Sequence, residues 1–219
     1  MLYKFVQFLK NLKLFMKNQI TNLILVGTGG QGIVLASRII AWCAFKSGFD
    51  VKESEIHGMA QRGGSVIGQV RFGKKVFSPS IPTGEAHIML ALEEMEALRY
   101  SHFLKNKGLI ILNLKQTPPP SLDPSFYPKN VSEQLKIKGY KVLEIKAEDL
   151  AKNLGSTKIE NTILLGVLSL FLPFSVEIWK EVLTNFVPQK FVNLNLKAFE
   201  EGRNFAKKIL QSRNRIVIT

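Results

Sequence analysis

Two short segments of this chain carry residue types whose spacing could do chemistry. The first is Gly27-Thr28-Gly29-Gly30-Gln31-Gly32, which has the spacing G-x-G-x-x-G. Glycines at those intervals permit a tight turn and let a phosphate approach the free amides of a helix N-terminus. In a dinucleotide site an acidic residue about 20 positions further on would hold the ribose. Asp50, Glu53 and Glu55 are in that range. A dehydrogenase-like, nucleotide-binding protein is one reading. Glycines that simply let a helix pack tightly on a sheet are the other.

The second segment is Ser54-Glu55-Ile56-His57-Gly58-Met59-Ala60-Gln61-Arg62-Gly63-Gly64-Ser65. It places one imidazole, one fixed cation and several glycines within a few residues. His57 can act as a general acid or base. Arg62 can fork onto a carboxylate or phosphate, while Gly63, Gly64 and Ser65 offer backbone and hydroxyl donors. The bland reading is that Arg62 bridges to a partner subunit and the glycines shape a tight loop.

Much else is excluded by what the chain lacks. It has a single cysteine, Cys43, so no intrachain disulfide and no four-thiolate iron–sulfur site can form within it. His57, His87 and His102 are far apart in sequence and lack a helical metal-ligand spacing, so no metal site is expected. There is no G-x-S-x-G elbow and no G-x-x-x-x-G-K-[ST] loop. Cys43 falls on an apolar helix face, where packing explains it better than reactivity. The formal charge is +13, but no block of five basic residues occurs, so a lysine-rich solvated surface is expected rather than nucleic-acid binding. The longest apolar stretch, Ile163 to Phe174, is too short for a membrane span.

The elements that must position these segments follow from periodicity. Asn22–Gly27 reads as a buried strand, Gln31–Ser47 as a helix closed by Gly48, and Asp50–Ile56 as a strand. That is a Rossmann-like βαβ unit around the glycine loop. Ser65–Phe72 alternates, and Gly73–Lys74 before Lys75–Ser78 predicts a hairpin. His87–Leu92, Gly108–Leu112 and Val142–Ile145 read as strands. Glu93–Leu104, Asn161–Phe171, Val176–Phe186 and Asn195–Ser212 read as helices. The proline-rich stretch Gln116–Lys129 must be a loop. The expected fold is a mixed, mainly parallel α/β sheet in a three-layer α/β/α sandwich.

With both segments in view, GTGGQGIVLASRII followed by SEIHGMAQRGGSV resembles the small subunit of the 2-oxoacid:ferredoxin oxidoreductases, a gamma-type domain. Relatives in that family that act on other oxoacids usually carry tyrosine at the place of His57, so the histidine form resembles the indolepyruvate branch. KIENTILLG (158–166) and NLNLKAFEEG (193–202) extend the resemblance over nearly the whole chain. The resemblance implies a three-layer α/β/α fold. It also implies oxidative decarboxylation of a 2-oxoacid such as indolepyruvate, with coenzyme A as acyl acceptor and ferredoxin as electron acceptor. It implies further that thiamine diphosphate, Mg and [4Fe-4S] clusters sit on a large (alpha) partner subunit, in an assembly of two heterodimers. It makes Gly27, Gly29, Gly30, Gln31, Gly32, Arg62, Gly63, Gly64 and Ser65 the expected cofactor-facing residues, with His57 as the one candidate for proton transfer. Other substrates of the same family, pyruvate, 2-oxoisovalerate or 2-oxoglutarate, stay open, as does a standalone nucleotide-binding protein. A cytoplasmic location is expected from the ferredoxin partner.

Residues 1–19 stand apart as an N-terminal extension, and residues 20–212 form the expected domain. Leu2, Phe5, Phe8, Leu9, Leu12 and Phe15–Met16 recur at helical spacing among Lys4, Lys10 and Lys13. That pattern predicts an amphipathic helix that packs on the protein or touches a membrane surface. Met16 is an alternative start.

Overall fold

The computed structural model describes residues 19–58, 63–119 and 123–212. The N-terminal extension up to residue 18 and the segment 59–62, which holds Arg62, lie outside them, so the amphipathic-helix expectation falls there too. The fold begins with strand β1 (Thr21–Thr28), whose eight residues are all buried. Helix α1 (Ile33–Lys46) follows and buries Ile33, Ala36, Ile39, Ile40, Cys43 and Ala44 at helical spacing. It ends where sequence predicts: Gly48 adopts φ +83°, and the amide of Phe49 bonds the carbonyl of Ala44.

Strands β2 (Asp50–His57) and β3 (Ser65–Gly73) then form an antiparallel pair. The remaining elements are β4 (Ala86–Ala91), α2 (Glu94–Arg99), β5 (Leu104–Asn113), α3 (Val131–Ile137), β6 (Lys141–Ile145), α4 (Ala147–Asn153), α5 (Glu160–Leu168), α6 (Val176–Phe186) and α7 (Val192–Ser212). The sheet order is β2-β3-β1-β4-β5-β6. The pairs β1–β4, β4–β5 and β5–β6 are parallel, while β3 is antiparallel to both neighbours. The alternation along β1 feeds two cores. Leu23 and Leu25 join the side covered by α1 and α4 to α7, and Ile24 and Val26 join the side covered by α2 and α3. This is the three-layer α/β/α sandwich.

Two expectations are corrected. The hairpin lies between β2 and β3, not after Gly73. The segment that follows is drawn off the sheet instead: Val76 donates its amide to the Asp50 carboxylate at 2.8 Å, and Arg71 donates to the carbonyls of Ser78 and Ser80. The helix expected over Glu93–Leu104 stops at Arg99, because Leu104 pairs with Ala86 as the first residue of β5. A register shift between Ala86 and Ile88, with Lys107 at φ 61°, absorbs the polar start of that strand. Helices α3 and α4 were not foreseen.

The two later motifs meet each other. A Cβ on Gly166 would strike the carbonyl of Phe199, and one on Gly202 would strike the carbonyl of Ile163. Each motif therefore ends in the glycine that lets α5 and α7 touch backbone to backbone.

Candidate functional site

β1 and β4 run parallel, but the chain leaves their C-terminal ends in opposite directions across the sheet. That reversal opens a crevice, the usual ligand position in such sheets. The glycine loop occupies one wall. Gly30 and Gly32 have φ of +97° and +80°, the left-handed region that glycine enters without a Cβ clash. Gln31 folds back over the turn: its Oε1 accepts from the amide of Thr28 at 2.9 Å, and its Nε2 donates to Thr117 Oγ1 at 3.4 Å. Gly32 precedes α1, and no side chain among the described residues caps that helix. The first amides of a helix have no intrahelical acceptor, so this end presents donors to an anion.

The second loop lies against the first. The amide of Gly29 donates to the carbonyl of Gly64 at 2.8 Å, and the amide of Gly58 to the carbonyl of Ser65 at 2.8 Å. Between them opens a cavity of about 600 Å³ lined by Thr28, Gly29, Gly30, Gly32, His57 and Gly58, among others. The His57 side chain is 54% exposed, with Glu55 Oε2 3.9 Å from its Nε2. The structure thus brings together Gly29, Gly30, Gly32, His57 and Gly64. Ser65 faces inward instead. Its hydroxyl donates to the carboxylate of Glu96 and lies 2.9 Å from the hydroxyl of Tyr100. Gly27 sits within β1 and only supports the turn, while Gly63, at φ 71°, shapes the second loop.

Helix α2 fixes both walls through two carboxylates one turn apart. Glu96 anchors Ser65 and also accepts from Arg99 Nε at 3.1 Å. Glu93, wholly buried, accepts from the amides of Glu96 and Thr117 and from the hydroxyl of Tyr127. That bond and burial hold the Tyr127 phenol well above its ordinary range, burial being the larger cause. Burial likewise raises Glu94.

A second, smaller cleft of about 210 Å³ lies on the other side of the glycine loop, walled by Gly30, Gln31, Asn113, Lys115, Glu160 and Asn161. Lys115 Nζ pairs with Glu160 Oε1 at 2.7 Å, and Asn113 donates to the carbonyl of Leu92 and accepts from the amide of Ala147. Sequence reasoning missed this group. One signal was available: Glu160, Asn161 and Thr162 are polar residues opening a helix that is otherwise apolar and wholly buried.

The topology weakens the nucleotide reading. β3 is inserted between β1 and β2, so Glu53 and Glu55 stand two strand spacings, roughly 10 Å, from β1. Glu55 is also level with Leu25 across the sheet, well below the glycine turn. Asp50 is at the far end, held by Val76. Cys43 is buried on α1, where burial pushes its thiol far up and leaves it unreactive.

Comparison with known proteins fits this arrangement. The family model "Pyruvate ferredoxin/flavodoxin oxidoreductase" matches residues 22–205. Indolepyruvate oxidoreductase subunit IorB of Thermococcus kodakarensis is 40% identical over 197 residues, covering 86% of this chain and 97% of the relative. The subunit of the same name from Archaeoglobus fulgidus is 40% identical over 191 residues, covering 84% and 94%. Among solved structures, the gamma subunit of a keto/oxoacid ferredoxin oxidoreductase from Geobacter sulfurreducens superposes with a TM-score of 0.64 at 24% identity, covering 86% of this chain and 99% of that one. The 2-oxoglutarate:ferredoxin oxidoreductase of Magnetococcus marinus gives 0.68 at 22%, covering 88% and 32%. At such identities the solved structures speak to the fold.

Proposed function

This chain belongs to the pyruvate ferredoxin/flavodoxin oxidoreductase family as a small subunit of a 2-oxoacid:ferredoxin oxidoreductase, and from that premise we propose that it completes an arylpyruvate-oxidising, coenzyme A-dependent enzyme with indolepyruvate as substrate. The substrate class rests on the relatives named indolepyruvate oxidoreductase subunit IorB. The role of the site rests on one observation: the Gly29–Gly64 bond joins both motif loops into a single rim around a cavity.

The rim suits coenzyme A better than it suits a redox centre. The uncapped end of α1 and the φ-positive turn offer amides to phosphate oxygens. Among the described residues, no group of three or more His, Cys, Asp or Glu side chains is placed to hold a metal ion. The chain's one cysteine could not ligate a cluster. The family resemblance implies thiamine diphosphate, Mg and [4Fe-4S] clusters on a large partner subunit, which would supply the decarboxylation and electron transfer. In this chain Gly30 and Gly32 shape the phosphate-facing turn, Gly63 shapes the second loop, Arg62 pairs with a coenzyme A phosphate or the substrate carboxylate where that loop meets the partner, and His57 handles a proton at the cavity mouth. Ferredoxin is reached through the complex, an assembly of two large–small heterodimers. No helix among the described residues is long and apolar enough to cross a membrane, and a cytoplasmic location fits a ferredoxin partner.

Co-expression with the large subunit tests this reading. The expected result is coenzyme A-dependent viologen reduction with indolepyruvate by the pair and none by either chain alone. Failure to form a complex, together with dinucleotide binding by the lone chain, would overturn it.

A further inference from the structure

A third cavity, of about 320 Å³, lies away from the crevice, between the outer face of α1 and the edge strand β2. Ala41, Trp42, Phe45 and Val51 form its apolar floor, and Glu53 lines its wall. Trp42 and Phe45 are 46% and 60% exposed and pack edge to face with ring centroids 5.6 Å apart. Large aromatics left open together mark a surface built to be covered. The acidic side is equally unfinished. Glu55 follows Glu53 on the same face of β2, and its Oε1 is buried with no hydrogen-bond partner among the described residues. Glu53 is held above the ordinary carboxylate range, first by burial and then by the charge of Glu55. Arg38 offsets part of that charge, and the buried Glu55 acceptor leaves room for a further cation.

The chain carries a segment of matching chemistry. Residues 1–18 hold Leu2, Phe5, Phe8, Leu9, Leu12 and Phe15 together with Lys4, Lys10, Lys13 and Lys17, and no acidic residue. They also enter the fold at the right place. Gln19 and Ile20 pass directly over Gly73, which pairs with Asp50, the residue next to Val51. Thr21 and Val51 flank Phe72 in one row of the sheet, so the entry point is about two strand spacings, or 10 Å, from the groove floor. Even at helical rise the segment would span about 27 Å. Tethering also gives it an effective concentration in the millimolar range, so a weak contact suffices.

We propose that residues 1–18 dock back onto the groove between α1 and β2, their apolar side chains covering Trp42 and Phe45 and their lysines neutralising Glu53 and Glu55. The inference concerns the lone chain and stands apart from the oxidoreductase reading. Its test uses the full-length protein. The chain has two tryptophans, and Trp179 is wholly buried, so acrylamide quenching of the emission lost in Trp42→Phe reports on Trp42 alone. Trp42 should resist quenching in the unaltered chain. Lys10→Glu with Lys13→Glu should raise quenching severalfold, as should Glu53→Lys with Glu55→Lys. Combining both pairs should restore the shielding, which a folding defect would not do. Equal quenching in all four proteins would overturn the proposal. So would shielding that arises only on adding phosphatidylglycerol vesicles or only on adding the large subunit.

Discussion

Gly29 and Gly64 are joined by one backbone hydrogen bond of 2.8 Å, although they belong to different loops. The turn after β1 is therefore tied directly to the start of β3. What holds the turn also governs the rim of the cavity.

The two left-handed glycines of that turn should respond differently to substitution. A Cβ at Gly30 meets nothing within 4 Å among the described residues, so Gly30→Ala adds only backbone strain, about 1–2 kcal/mol. At Gly32 the same strain is joined by a clash with the side chain of Asn161. Gly32→Ala should be the more destabilising in urea unfolding, and the joint variant Gly32→Ala with Asn161→Ala should recover part of the loss.

The helix pair α5–α7 makes a sharper prediction. The Cβ of an alanine at Gly166 or Gly202 would fall on backbone carbonyls, which cannot rotate away. Each substitution should cost about 3 kcal/mol, at the upper end of overpacking penalties. Chemical denaturation of the two variants checks this. A loss below 1 kcal/mol would mean that the helices can slide apart.

These glycines also show what was legible in the sequence. The residue types of the two loops are unusual, so the glycine turn, His57 and the Gly63–Ser65 run could be read directly, as could β1, α1 and their end at Gly48. The strand order could not. Nothing local in Ser65–Gly73 says that it inserts between β1 and β2 rather than turning back after Gly73; its antiparallel pairing with both neighbours is long-range, and the bonds of Asp50 and Arg71 hold the segment that follows off the sheet. Lys115 and Glu160 are 45 residues apart and meet only because β5 and α5 end at the same crevice. The short helices α3 and α4 offered too few turns for a periodicity to emerge.

That ion pair supplies a further prediction. Glu160 has an 11% exposed side chain, and Lys115 is 29% exposed. Lys115→Met would leave a nearly buried carboxylate without its cation, at a cost of about 3 kcal/mol. Glu160→Gln should cost less, because the freed ammonium can reach water. Thermal unfolding of both variants gives the order.

His87 should make stability fall in mild acid. Its Nδ1 accepts from the amide of Asn22 at 3.0 Å, and burial, with help from Lys105, lowers its pKa from 6.5 to about 4. Between those values the unfolded chain takes up a proton that the folded chain refuses. The stabilisation is therefore complete above pH 6.5 and is lost progressively as pH falls towards 4. His87→Gln, which keeps an acceptor, should flatten the denaturation midpoint over that window.

The central claim is that the loop joined to the glycine turn faces a ligand of the assembled enzyme. The most direct measurement is the coenzyme A and indolepyruvate dependence of viologen reduction by a complex carrying Arg62→Ala. A raised KM for either one, with the subunits still co-purifying, is the predicted result. Unchanged KM values with intact assembly would contradict the claim.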